Sequence, residues 1–527
     1  MRAAGTVRRL LTSAFTVTAL AMLTPSLAGA SGTQESVFQD DAYLIYHSPA
    51  AVNRTLATLE SLGVQRVRVT LKWSTVAPSP QSRTRPAHFN ALDPAAYPRG
   101  VWSPYDRVVE LAARHHIGVE FNLTPPGPLW AMRHDSPTVR AADHWAPNPV
   151  DFFNFVYAAG LRYSGAYGTV PRVHVWSIWN EPNQPGWLAP QWRNYRGRQV
   201  RNSPRLYRLY ASAAYAALYF SKHLTGRDTV LIGELAPEGY ETPGFYTAMT
   251  PMPFLRALYC LDGGYRPLRG NAATALGCPT SGSRQAFVRA NPALFLVSGF
   301  AHHPYYFLHA PWVGTSEANF VPLANLGRLE RGLDRAFGAY GVSRRLPIYL
   351  TEYGYQTNPP DPYVIVTPQQ QASYLNAADY LAWKDPRVRS VAQFLLYDAG
   401  PDSRYGPGDF KYWDTFQTGL RFAGRGAKPA FASYQMPIWV PATRVRRGRT
   451  ILVWGQLRPA THLGSQIASV QWRGTRGGYK TIARVATNRE GYLSVRITPG
   501  GSGRIRIAWR AAHRSLLVSR SVAISVR

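Results

Sequence analysis

The stretch Trp176-Ser177-Ile178-Trp179-Asn180-Glu181-Pro182-Asn183 ends an apolar strand with an amide, a carboxylate and a proline in direct succession. Val173, Val175, Ile178 and the two tryptophans read as buried, and a glutamate in such a setting needs a partner or a task. Pro182 lacks an N–H and stops the strand, so Asn180 and Glu181 fall at its rim. Taken alone, Glu181 also fits a helix cap or a partner for a surface arginine.

Outward from this strand, short β-rich runs alternate with helical patterns between residues 41 and 435. Strands read at 43–46, 67–71, 118–123, 174–179, 229–234, 296–302, 348–351 and 391–397 make eight, the number that closes a parallel barrel. Val52, Leu56, Leu59 and Leu62 recur at helical spacing and stop at Gly63. Ser103-Pro104, Ser203-Pro204 and Thr367-Pro368 each place a cap before a proline, as helix starts prefer. Leu326, Leu329, Leu333 and Phe337 mark the helix before the seventh strand. After residue 435 helical periodicity gives way to short alternating runs at 450–454, 467–472, 492–497, 504–509 and 517–526. The expected fold class is α/β: a (β/α)8 TIM barrel over residues 31–436, then a small all-β immunoglobulin-like sandwich over 437–527.

The N-terminus reads as a secretory signal peptide, residues 1–30: Arg2, Arg8 and Arg9 precede an apolar run, and Ala28-Gly29-Ala30 offers small residues for cleavage. An uncleaved anchor is the alternative; no later segment is apolar enough to span a membrane. The expected location is therefore extracellular. Cys260 and Cys278, the two cysteines of the chain, fit an oxidising compartment and are expected to pair. With no nearby His pair they do not form a zinc site, and no metal or cofactor is needed. Of the net charge of +30, residues 437–527 hold 17 Lys and Arg against one acid, Glu490. Such a module suits an anionic cell-wall or polysaccharide surface, with ordinary surface arginine usage as the alternative. Nucleic acid is a poor partner for an exported chain.

In a (β/α)8 barrel the functional residues collect at the C-terminal ends of strands. Strand seven, Leu346-Pro347-Ile348-Tyr349-Leu350-Thr351-Glu352-Tyr353-Gly354, ends in Glu352. Opposed carboxylates from strands four and seven are what glycosidic cleavage requires, one protonating the leaving oxygen and the other attacking the anomeric carbon.

Trp179-Asn180-Glu181-Pro182 on strand four with Thr351-Glu352 on strand seven resembles the clan A glycoside hydrolases, most closely family 39 and next family 5. The resemblance covers about residues 41–435. It implies a retaining hydrolase of β-glycosidic bonds, with Glu181 as general acid/base, Glu352 as nucleophile and a carbohydrate substrate. Arg68 is similar to the clan's strand-two arginine, which would hold the nucleophile ionised and oriented. Asn180 is similar to the asparagine that grips the sugar 2-hydroxyl. His303-Pro304-Tyr305 resembles the clan's His-x-Tyr, whose tyrosine contacts the nucleophile. Each has a bland alternative, Arg68 as a surface cation and His303 or Tyr305 as core filling. Strand eight departs from the pattern: Phe394-Leu395-Leu396-Tyr397-Asp398 stands where the clan often has a tryptophan, with Tyr397 as a replacement floor and Asp398 as a hydroxyl ligand. Trp130, Trp187 and Trp192 lie where rings could stack on pyranose faces or simply pack. Glu120 and Glu234 sit on strands three and five, Glu234 as a supporting partner. The rival readings are a non-catalytic glycan- or wall-binding protein and a transglycosylase on the same fold.

Overall fold

The computed structural model describes residues 31, 32, 34–424, 426–511 and 515–527. The leader read in residues 1–30 lies outside the described residues. Eight parallel strands form a closed barrel in sequence order: β1 (Glu35–Gln39), β2 (Arg66–Lys72), β3 (Gly118–Thr124), β4 (Val175–Ile178), β5 (Thr229–Leu235), β6 (Gly299–His302), β7 (Ile348–Tyr353) and β8 (Val388–Phe394). The helices that cover it include α1 (Pro49–Ser61), α2 (Ser103–Arg114), α3 (Pro149–Arg162), α4 (Ser203–Phe220), α5 (Pro251–Leu258), α6 (Leu326–Ala339), α7 (Pro368–Lys384) and α8 (Pro429–Gln435). Their buried stripes are those the spacing predicts: Val52, Leu56 and Leu59 on α1, and Leu326, Leu329, Leu333 and Phe337 on α6.

The first strand is a correction. Residues 43–46 lie across a short helix, Asp41–Ile45, whose start is capped by the Asp40 carboxylate accepting from the Tyr43 N–H at 3.2 Å. The true β1 has few apolar residues, but it pairs with β2 on one side and β8 on the other, so closure of the barrel fixes it. Strand eight also begins and ends three residues earlier than its pattern suggested, at Val388–Phe394. Strand six begins only at Gly299. Thr367 is a true cap with a reciprocal bond from Gln370, whereas Ser103 and Ser203 are the first residues of their helices.

Two strands are interrupted where they meet the rim. The β5–β6 register shifts between Gly233 and Leu235, and the β8–β7 register shifts over the Thr351–Glu352 step. Such bulges re-aim a side chain. Gly233 has φ +109°, and a Cβ there would lie 2.6 Å from the Ala301 carbonyl, so only glycine fits.

Beyond Met436 two sheets pack face to face. A three-stranded sheet (Ile438–Trp439, Ile451–Gln456, Tyr492–Ile497) lies against a larger one containing Arg444–Val445, Val522–Val526, Gly503–Trp509, Ile467–Arg473, Lys480–Ala486 and Leu517–Val518. Val453, Leu493, Val470, Ile505 and Ile507 fill the space between them. The strand Lys480–Ala486 is absent from the sequence reading, and the run 517–526 is two strands. Cys260 and Cys278 are joined by a disulfide.

Candidate active site

The C-terminal rim of the barrel opens into a cavity of about 590 Å³, with Glu181, Glu352, Asn180 and Tyr305 among the residues that line it. Its floor is a layer of charge inside the barrel. Arg68 on β2 is fully buried, and its guanidinium reaches four strands. Nη1 donates to Glu352 Oε1 at 2.7 Å and to Gln39 Oε1; Nη2 donates to Asn180 Oδ1 at 2.8 Å and to Glu234 Oε2 at 2.9 Å. The in-register pairing of β2 with β3 places Glu120 beside it, with Oε1 3.9 Å from Nε. Burial weighs against the charge of Arg68, but Glu234, Glu352 and Glu120 outweigh it and hold the guanidinium more firmly protonated than usual.

Glu181 and Glu234 are bound to each other through the backbone, the Glu181 N–H donating to the Glu234 carbonyl at 2.9 Å. Both have left-handed φ, +37° and +51°, as does Trp179 at +71°. Such conformations cost about 1–3 kcal/mol each and persist where the surroundings over-determine them. Here the surroundings include the Glu234 carboxylate, whose Oε2 accepts from Arg68, from His303 Nε2 at 2.7 Å and from the Thr351 hydroxyl at 2.9 Å. Burial pushes its carboxyl up, yet Arg68 and His303 prevail and bring it from 4.5 down to about 2.

His303, after β6, spans the site. Nδ1 lies 2.9 Å from Glu181 Oε1, and Nε2 faces Glu234. Both ring nitrogens meet carboxylate oxygens, so both carry protons. Burial opposes the charge, but Glu352, Glu181 and Glu234 overcome it and raise the imidazole from 6.5 to about 10. Glu352 is held at both oxygens, Oε1 by Arg68 and Oε2 by the Tyr305 hydroxyl at 3.2 Å. Burial pushes its carboxyl above the usual value, with His303 and Arg68 pulling against the shift. Oxygens of Glu181 and Glu352 and a ring nitrogen of His303 lie within 4.8 Å of one another. That trio is close enough to hold a cation, but the His303 nitrogens direct protons at carboxylates and offer no lone pair to a metal.

The fold thus brings Glu181, Glu352, Arg68, Asn180, His303 and Tyr305 into one cluster. Trp187 lines the cavity and also a neighbouring one of about 660 Å³, which shares Lys72 with it. Three other expectations are corrected. Trp130 is buried beneath the rim, edge-on to Trp73 and Phe89, with its indole N–H donating to the Pro78 carbonyl. Tyr397 stacks on Tyr43 at 4.3 Å, outside the cavity lining. Asp398 is buried in an ion pair, 2.7 Å from Lys428 Nζ, and also accepts from the Gly419 N–H. The earlier end of β8 explains the last two: Phe394 and Leu395, with Phe416, line the cavity instead. Trp192 lies in a hairpin beyond β4, under the Arg201 guanidinium. Gln39, Lys72 and Glu238 are lining or contacting residues that the sequence reading missed. Gln39 was legible only once β1 was placed, because it is that strand's last residue.

No family model matches the chain, and no curated protein sequence does. Solved structures similar to it include an endo-beta-1,4-mannanase from Thermotoga petrophila, at 12% identity and a TM-score of 0.40 over 95% of this chain and 99% of that one. A GH5_18 structure from Streptomyces cattleya in complex with GlcNAc aligns at 15% identity and a TM-score of 0.45, covering 76% of this chain and 78% of the other. A conserved exported protein from Bacteroides fragilis aligns at 12% identity and a TM-score of 0.46, covering 90% and 99%. Likenesses this distant leave the function of this chain to be read from its own residues.

Proposed function

We propose that the protein is an exported retaining β-glycosidase acting by double displacement. The observation that carries the reading is the spacing of the two rim carboxylates, with oxygens of Glu181 and Glu352 within 4.8 Å. Retaining glycosidases hold their carboxyl groups about 5–5.5 Å apart, whereas inverting ones leave room for a water at about 6.5–9.5 Å. Glu352, clamped by Arg68 and Tyr305, attacks the anomeric carbon while Glu181 gives its proton to the departing oxygen. A water then attacks the glycosyl ester, and Glu181 takes the proton back. Asn180 accepts from Arg68 through Oδ1, which leaves its amide N–H groups free to donate to a sugar hydroxyl beside the reacting carbon. The leader pattern and the disulfide support export.

The test is chemical rescue. On an aryl β-glycoside with a good leaving group, Glu352→Ala should lose about 10³-fold or more in kcat. Azide should then restore turnover and give a glycosyl azide of inverted configuration. An unaltered hydrolysis rate in that variant removes the assignment.

A further inference from the structure

The larger sheet of the C-terminal sandwich has an inner face of Val470, Ile505, Ile507 and Ile524. Side chains alternate along a strand, so their neighbours point outward. On that outer face Arg473 and Arg504 stand directly opposite each other on adjacent strands, and Arg506 is opposite Gln471, its Nε donating to the Gln471 oxygen at 2.8 Å. Arg484 lies across from Ser469, and Arg444 across from Ser525. The Tyr479 ring sits between Arg473 and Arg506, 5.1 and 3.9 Å from their guanidinium carbons.

Among the described residues no carboxylate forms an ion pair with this array. Glu490 is the one acid in residues 437–527. Among ion pairs of the described residues, the only one that involves this segment is that of Arg458. Like charges directly opposite on neighbouring strands destabilise a sheet. The pattern therefore costs stability in the free protein, and a row of anions would relieve it. Guanidinium forks take carboxylate or sulfate groups two bonds at a time. The rows are about 4.8 Å apart across strands and about 7 Å along them, a repeat that suits an extended charged chain over a single small anion.

We propose that the outer face of this sheet, centred on Arg473, Arg504 and Arg506, binds a linear anionic polysaccharide. The proposal is independent of the catalytic reading, since none of these residues lines the cleft. The test is binding of the full-length protein to polygalacturonate in about 0.15 M salt, with dextran as the neutral control and duplex DNA as the competing polyanion. Polygalacturonate should bind, raise the thermal midpoint and dissociate as salt increases. The variant Arg473→Glu/Arg504→Glu should weaken binding at least tenfold with an unchanged far-ultraviolet spectrum. If that pair fails to fold, Arg473→Gln/Arg504→Gln should give a smaller loss in the same direction. Unchanged affinity in the folded variant overturns the proposal, as does binding of dextran, or binding of duplex DNA as tight as that of polygalacturonate.

Discussion

His303 stands between two carboxylates, and both of its ring nitrogens are committed to them. Its charge should therefore persist far above the ordinary histidine range. Nitrogen-15 spectra of the imidazole should show both nitrogens protonated at pH 8, and Glu234→Gln should lower the titration by ~1 unit or more. A free, neutral ring at pH 8 in the unmodified protein would contradict the assignment. The same shifts set a stability dependence. His303 rises from 6.5 to about 10 on folding, so its contribution is complete below 6.5 and fades as pH rises toward 10. Glu234 falls from 4.5 to about 2, so its contribution is complete above 4.5 and is lost as pH drops toward 2. His303→Asn should flatten the alkaline fall of the thermal midpoint. In catalysis, burial of Glu352 predicts an acid limb of kcat/KM above the usual glutamate value, because the nucleophile must first ionise. A limb at or below that value would place the titration elsewhere.

At the scale of elements, the bulge at the end of β5 does what no regular strand could. It turns Glu234 toward both Arg68 and His303 while its carbonyl accepts from Glu181. Gly233→Ala should disrupt it, since the new methyl meets the Ala301 carbonyl and the backbone is left-handed there. A loss of more than ~1 kcal/mol is expected, read as a lower denaturation midpoint. The helices were more legible. On α7, Thr367 and Gln370 satisfy the first turn by reciprocal bonds, Pro368 has no N–H to satisfy, and Thr367→Ala should cost about 1 kcal/mol. An unchanged urea midpoint in that variant would mean that the α7 cap adds nothing to stability.

Across the whole molecule, the sandwich is seated on the barrel by the buried charge of Arg458, by the Arg520 guanidinium, whose Nε donates to Asn376 Oδ1 on α7 at 2.9 Å, and by a cluster of rings. Arg458 reaches Asp379 on α7 at 2.7 Å and the Ser36 hydroxyl on β1 at 3.0 Å, and it is 3% exposed. Trp454 and Tyr492 pack on Trp383 of α7. Burial already raises the Asp379 carboxyl against the pull of Arg458. Arg458→Met leaves that carboxyl without its cation and should destabilise the protein by about 3–5 kcal/mol. Because the seat joins both parts, barrel and sandwich should lose stability together in calorimetry. Separation into two transitions in the unmodified protein would argue against the seat.

The amino-acid sequence by itself determined seven of the eight barrel strands and the two glutamates at strand ends, because strand periodicity and a terminating proline are local properties written in consecutive residues. Tertiary structure alone decided which residues reach the cavity. The few apolar residues of Glu35–Gln39 make a strand only because two neighbours must be joined, and that choice brings Gln39 to Arg68. Asp398 is withdrawn by Lys428, thirty residues later in the chain, and Trp130 by the rings of Trp73 and Phe89. Long-range partners of this kind follow from barrel closure, and no local pattern announces them.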